Sequence, residues 1–292
     1  MSKIVEALEK AKREGKLENT SVSLDERATV STLLPPREVV AAPIRELSLR
    51  SNVSGITAID PAALVAVDAR LETLHNPMSV VSEQYRQLRS RLERRCLDRD
   101  LRALAVTSSI KGEGKSVTAA NLAVVLAQTA NKSTVLIDAD FRRPNVHRLL
   151  GLAQVPGLSD HLVGRATVEQ VVHLTPFLGL SVVTAGTGEG HPAELLASPE
   201  FGAFIAFCKS RYDYVLVDTP PVQPISDVGF LVEYVDGVLL VVRSGRTGKE
   251  LVKKAAASFP EGKLVGTILN RADELSRGYG YKKGSYGYYG GY

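Results

Sequence analysis

"LAVTSSIKGEGKSVTAANLAVVL", residues 104–126, decides the fold of this chain. It opens on a short apolar run, passes through a segment holding Gly112 and Gly114, and continues as an alanine- and leucine-rich stretch, so it reads as strand, turn and helix. Ser109 to Ser116 spell S-I-K-G-E-G-K-S, the phosphate-loop pattern G-x-x-x-x-G-K-[ST] with serine at its first position. Glycines in such a loop let successive N–H groups turn inward on an anion, and the positive end of the following helix adds to them. Ser109, Lys111, Gly112, Glu113, Gly114, Lys115, Ser116 and Val117 are therefore candidate nucleotide contacts. Lys115 is placed to reach the β- and γ-phosphates of ATP, and Ser116 to ligate the Mg2+ that bridges them.

Two acidic stretches follow. "TVLIDADFRRP" sets Asp138 and Asp140 just past a buried strand, and "YDYVLVDTPP" sets Asp218 at the end of another. In doubly wound sheets ligands bind at the carboxyl ends of strands, so three carboxylates beside a phosphate loop suit a magnesium–nucleotide site. Asp218, directly or through water, and Asp138 are the candidate metal residues; Asp138 or Asp140 is the candidate for orienting an attacking hydroxyl. "GTILNRAD" ends a further apolar run at Asn270, which is either a reader of the adenine edge or a turn residue.

Working outward, apolar runs near 103–106, 134–137, 180–183, 214–217, 237–242 and 264–269 read as strands. Helical spacing over 115–128, 145–150, 201–209, 224–233 and 249–257 separates them. Continuous apolar strands alternating with helices predict an α/β P-loop NTPase, a doubly wound, mainly parallel sheet with helices on both faces. This domain is expected over 78–275. Ahead of it, residues 1–15 spell an amphipathic helix, either a docking peptide or one that packs back on its own domain, and 16–77 read as a flexible arm. Residues 276–292 read as a disordered Gly/Tyr-rich tail.

The 292 residues are 44% hydrophobic, enough for a sizeable core. With 36 basic against 32 acidic residues the charge is too balanced for a dedicated nucleic-acid binder, so no nucleic-acid partner is expected. Cys96 and Cys208, the only two cysteines, form no C-x-x-C pair and read as buried thiols of a cytoplasmic protein. No apolar run approaches the roughly 20 residues of a membrane span, so membrane attachment is expected only through a partner. The five histidines show no metal-ligand spacing.

The serine-started "SSIKGEGKS", then "LIDADFRRP" and "VLVDTPP", in that order before a tyrosine-rich end, resemble the bacterial tyrosine autokinases over roughly residues 79–292. The resemblance includes "EQYRQLR", where Glu83, Arg86 and Arg89 match that family's self-association helix; their spacing of three sets them on one helix face. It implies a protein-tyrosine kinase controlling polymerisation and export of extracellular polysaccharide, assembled as a ring-like homo-oligomer. The implied partners are a transmembrane polysaccharide co-polymerase adaptor, which would hold the chain at the inner membrane, and a protein-tyrosine phosphatase. Arg142 or Arg143 is a candidate for stabilising the transition state, or else a surface ion-pair residue. The chain departs from the related positioning ATPases at Ile110, where they carry a signature lysine, and it resembles the stand-alone cytosolic form of the kinase.

The end of the chain, "GYGYKKGSYGYYGGY", places Tyr279, Tyr281, Tyr286, Tyr288, Tyr289 and Tyr292 among glycines where no core can use them. Given the resemblance, they are expected to be phosphorylated in trans by a neighbouring subunit, with Lys282 and Lys283 drawn to an acidic active-site mouth. Phosphates there would make the tail acidic and oppose assembly. A positioning ATPase acting as a dimerisation switch, and a scaffold that associates through stacked tyrosines, are the alternatives.

Overall fold

The computed structural model describes residues 65–177, 179–188, 190–224 and 227–272. The expected helix over 1–15, most of the arm and all six terminal tyrosines lie outside the described residues. In chain order the first elements are α1 (Glu72–His75), α2 (Val80–Arg99), β1 (Ala103–Ser108), α3 (Lys115–Ala127), β2 (Thr134–Asp138) and α4 (Val146–Leu150). Next come α5 (Leu158–Leu162), α6 (Val168–Val171), β3 (Val172–Leu174), β4 (Leu180–Val183), α7 (Pro192–Ala197) and α8 (Pro199–Arg211). The last are β5 (Tyr214–Asp218), α9 (Asp227–Leu231), β6 (Gly237–Arg243), α10 (Lys249–Ala257) and β7 (Leu264–Asn270).

The seven strands form one sheet in the order β3-β4-β2-β5-β1-β6-β7, parallel throughout except for the antiparallel edge pair β3–β4. All six expected strands are present. The seventh, β3, is only three residues, two half-buried and one exposed, too short to stand out as an apolar run. Alternation within the strands explains the layering: Leu104, Val106, Leu136 and Leu216 belong to the core under α2 and α3, whereas Ala103, Ala105, Ile137 and Val217 face the core under α8. Both faces are covered, so the central strands are buried at every position. Cys96 and Cys208 are buried free thiols, pushed by burial up to about 11 and about 12.

The boundary expected at residue 78 is corrected. Val67, Leu71 and Leu74 are buried in the core shared with α3, and the Thr73 N–H and hydroxyl both donate to Asn121 Oδ1, at 3.1 and 2.9 Å. The segment "LETLH" is too short for its helical spacing to stand out in sequence, yet it covers one side of α3.

Asp236, just before β6, fastens the start of β1. Its Oδ2 accepts the N–H groups of Arg102 and Ala103, both at 2.8 Å, and its Oδ1 receives the Lys209 ammonium at 2.6 Å. Partial burial alone would raise this carboxyl, but the Ala103 N–H, Lys209 and the Arg102 N–H outweigh it and hold it below its ordinary value. Asp236→Ala is expected to cost about 1–3 kcal/mol, read as an earlier urea midpoint. Because the folded-state pKa is lowered, that stability is present above the unfolded carboxyl's pKa and is lost as pH falls through the folded value. The gap between wild type and variant should therefore close below roughly pH 4; a gap that persists there would contradict the assignment.

Candidate active site

The register of the sheet brings the acids together. Asp138 at the end of β2 pairs with Asp218 at the end of β5, and Asp218 in turn neighbours Val106 near the end of β1, the strand that feeds the phosphate loop. Neighbouring strands lie ~4.8 Å apart, so carboxylates at matching strand ends crowd one another unless a cation intervenes. That cation is Lys115. Its Nζ lies 2.7 Å from Asp140 Oδ2, 3.5 Å from Asp218 Oδ1 and 3.2 Å from Ser116 Oγ. Burial by itself would push the Lys115 ammonium down; the charges of Asp218 and Asp140 outweigh it and hold it above its ordinary value. Burial raises both Asp218 and Asp138, and in Asp138 the Asp218 charge adds to the rise.

The two acids of "DAD" are in different positions. Asp138 is fully buried and spends both oxygens on backbone: Oδ1 accepts the Asp140 N–H at 3.1 Å, and Oδ2 accepts those of Asn145 and Val146, both at 3.0 Å. It is the clasp that turns the chain from β2 into α4, a loop-shaping role beside the catalytic and metal-binding ones expected of it. Asp140 is the member that reaches the reactive end, through Lys115, while its Oδ1 receives the Arg143 N–H at 3.0 Å.

Among the described residues no three His, Cys, Asp or Glu side chains converge as a metal cage. The donors present do suit Mg2+ held by a phosphate loop. Asp218 Oδ2 is buried with no hydrogen-bond partner beside the Ser116 hydroxyl, which leaves one acceptor for a metal-bound water. Nucleotide phosphates can complete such a shell.

The loop is braced from behind. Glu113, at the cavity wall, is 2% exposed and its carboxylate is spent on the protein itself. Its Oε2 accepts the Ile110 N–H at 2.8 Å, and its Oε1 accepts the Arg243 N–H at 3.2 Å and the Thr247 hydroxyl. Asn270 completes the brace: its Nδ2 donates to the Glu113 carbonyl at 2.8 Å and its Oδ1 accepts the Arg271 N–H at 2.9 Å. Between the two uses expected for Asn270, reader or turn residue, this geometry favours a third, a strut under the loop. It also explains Gly114: φ is +96°, and a Cβ there would collide with the Asn270 amide. Ser109 is buried at the loop's start with its hydroxyl unpartnered, Val117 lines the cavity, and Lys111 is exposed at the rim.

A cavity of about 1580 Å³ opens over the loop. Its wall includes Arg142, Arg143 and Arg148 on one side and Arg243, Arg246 and Arg271 on the other. The acidic mouth expected to attract Lys282 and Lys283 is therefore corrected: the rim is basic. Arg148 and Arg246 carried no sequence motif, and only the fold brings them to the loop.

Glu83, Arg86 and Arg89 do not form one free face. Arg86 Nε pairs with Glu83 at 2.8 Å and its Nη1 donates to the Pro77 carbonyl at 2.7 Å. Arg89 Nη1 donates to the Val125 carbonyl at 2.8 Å, capping the C-terminal end of α3. Glu83 is the more exposed member of its pair, at 53% against 30% for Arg86.

The family model of the CobQ/CobB/MinD/ParA nucleotide binding domain matches residues 104–279. The chain is 41% identical over 216 residues to the tyrosine-protein kinase YwqD of Bacillus subtilis, covering 73% of this chain and 88% of that protein. It is 34% identical over 203 residues to the succinoglycan biosynthesis transport protein ExoP of Rhizobium meliloti, covering 68% of this chain and 26% of that much longer protein. Among solved structures, the BceF tyrosine kinase domain superposes with a TM-score of 0.63 at 33% identity, covering 69% of this chain and 83% of that one. Among the described residues no helix is long and apolar enough to cross a membrane.

Proposed function

The chain belongs to the bacterial tyrosine autokinases, and from that premise we propose that it transfers the γ-phosphoryl of ATP to tyrosines at 279–292 of a neighbouring copy and so regulates extracellular polysaccharide export. The observation that carries this reading is Lys115 held between Asp140 and Asp218 at the carboxyl ends of the central strands, directly above the phosphate loop.

Phosphates entering the loop compete for the Lys115 ammonium and draw it off Asp140, and the freed carboxylate then faces the acceptor hydroxyl. The loop N–H groups and Lys115 stabilise charge on the transferring group, which is where preorganised donors contribute most. Ser116 and, through water, Asp218 are the residues that would hold a magnesium ion, which would supply positive charge to offset the negative charge of the phosphates. A bond forms between the tyrosine Oη and the γ-phosphorus as the bond to the β,γ-bridging oxygen breaks. ADP leaves and the phenolic proton passes to solvent. Asp140 positions the hydroxyl more than it takes the proton, because a carboxylate is a weak base at pH 7.

Self-association through α2 is part of the proposal, with Glu83 and Arg86 presented to a neighbour and Arg89 supporting the helix from inside. The membrane adaptor and the phosphatase remain expectations of the family, motivated by the likeness to a polysaccharide transport protein. Intact mass of the full chain with Mg2+ and ATP, alone and with the adaptor's cytosolic segment, is the test. The expected result is a ladder of phosphate-sized steps that maps to Tyr279–Tyr292. ATP hydrolysis without any ladder in either arm would favour a positioning ATPase instead.

A further inference from the structure

We propose that the rim of the nucleotide cavity is an anion-selective docking surface for the acceptor segment, and that it takes a segment already carrying a phosphotyrosine in preference to the unmodified one. The first transfer to a neighbouring copy then favours the next. This rests on the tyrosine-kinase reading above.

The charge around the cavity is lopsided. Basic side chains reach it from the phosphate loop, the β2–α4 turn with α4, the end of β6 with the loop after it, and the residue after β7. Three carboxylates line it, Glu72, Glu113 and Asp140, and two of these are buried and committed, Glu113 to the brace and Asp140 to Lys115. Lys111, Arg143, Arg148 and Arg246 are exposed and make no ion pair among the described residues. The loop N–H groups, Lys115 and Ser116, with Lys111 beside them, suit the triphosphate, which leaves Arg143, Arg148 and Arg246 for another anion. Arg143 and Arg148 stand on the Asp140 side, from which an acceptor hydroxyl must approach. The cavity, at about 1580 Å³, also exceeds the ~300–1,000 Å³ of ordinary ligand pockets, which leaves room for a peptide beside the nucleotide.

The acceptor sequence supplies the other half. Residues 276–292 contain Arg277, Lys282 and Lys283 and no Asp or Glu, so the unmodified segment meets the rim as like charge. Each phosphate adds about −1.5 to −2 charges and three strong acceptors suited to guanidinium groups. Tyr279 and Tyr281, or Tyr286 and Tyr288, are two residues apart, which in extended chain is roughly 7 Å. A phosphotyrosine one step from the acceptor therefore falls on the rim while the next phenol reaches Asp140. Charge repulsion among tails, expected to oppose assembly, is preceded by attraction of the first phosphate to this surface.

The test uses the full chain with all six terminal tyrosines changed to phenylalanine, so that only added peptide is modified. Its acceptors are two synthetic peptides of residues 276–292, one unmodified and one phosphorylated at Tyr286. Transfer rates and peptide affinity are both measured. The phosphorylated peptide is expected to have a kcat/KM at least about tenfold higher and a correspondingly lower Kd, an advantage that shrinks with added salt. Arg148→Gln combined with Arg246→Gln should reduce the advantage several-fold, and Arg148→Glu should remove it, with ATP affinity measured in parallel as the control for folding. Equal kcat/KM and Kd for the two peptides, or an advantage untouched by the charge reversal, overturns the proposal and leaves the kinase reading standing. If neither peptide is phosphorylated, with or without the adaptor's cytosolic segment, while ATP still binds, the kinase reading fails, and the affinity arm alone then decides whether the rim selects the phosphorylated segment.

Discussion

Lys115→Met should erase the phosphate ladder, a loss of at least about a hundredfold to a thousandfold, the scale seen when one donor to developing charge is removed. The structure adds a second consequence. Lys115 is the cation that lets Asp140 and Asp218 lie buried side by side, at 2.7 and 3.5 Å from its ammonium. Breaking a buried pair by removing one partner leaves the other charge uncompensated and costs on the order of 3–5 kcal/mol. The variant is therefore expected to melt earlier without nucleotide, and the ladder must be scored well below its midpoint. Adding Asp140→Asn separates the two effects, because it takes away one stranded charge without restoring a phosphate ligand. Part of the lost stability should return and none of the transfer. A ladder that survives Lys115→Met would mean that transfer does not pass through this loop.

Glu113→Ala carries the other large effect, and it acts at a distance from the nucleotide. It strands three donors, the N–H groups of Ile110 and Arg243 and the Thr247 hydroxyl, in a place that is 2% exposed. At ~1–3 kcal/mol for each buried group left unsatisfied, a loss of roughly 3 kcal/mol or more in stability follows. The loop N–H groups must also point at transferring phosphate, and a misplacement of about 1 Å can cost a hundredfold in rate. Transfer should fall on that scale. Glu113→Gln keeps an acceptor oxygen but brings its own N–H2 among donors, so it should fall between wild type and alanine in both melting and transfer. Equal rates and ATP affinity in all three proteins would show that the brace does not set the loop.

How much of this was legible beforehand differs element by element. The phosphate loop, its helix and the acids at Asp138, Asp140 and Asp218 could be read because local geometry dictates them: glycines where N–H groups must converge, apolar runs where strands are buried on both faces, acids where those runs stop. The roles of those acids could not be read. "DAD" offers two equivalent carboxylates two residues apart, and only the turn into α4 gives Asp138 to three backbone N–H groups and leaves Asp140 for Lys115. Likewise "EQYRQLR" has the spacing of one helix face, yet packing against α3 turns Arg89 inward to cap Val125. In both cases the deciding partners are backbone groups that carry no sequence signature.

The sequence by itself determined the class of fold and the phosphate chemistry, because both depend on residue types at short, regular spacing. Only the tertiary structure decided that "LETLH" belongs to the core, that Glu113 and Asn270 brace the loop from behind, and that the mouth is basic. Those features join residues from α1, the phosphate loop, α4 and the ends of β6 and β7. Elements far apart in the chain meet only when the parallel sheet sets their strand ends side by side, and charge and packing at such a meeting depend on neighbours that no stretch of sequence contains.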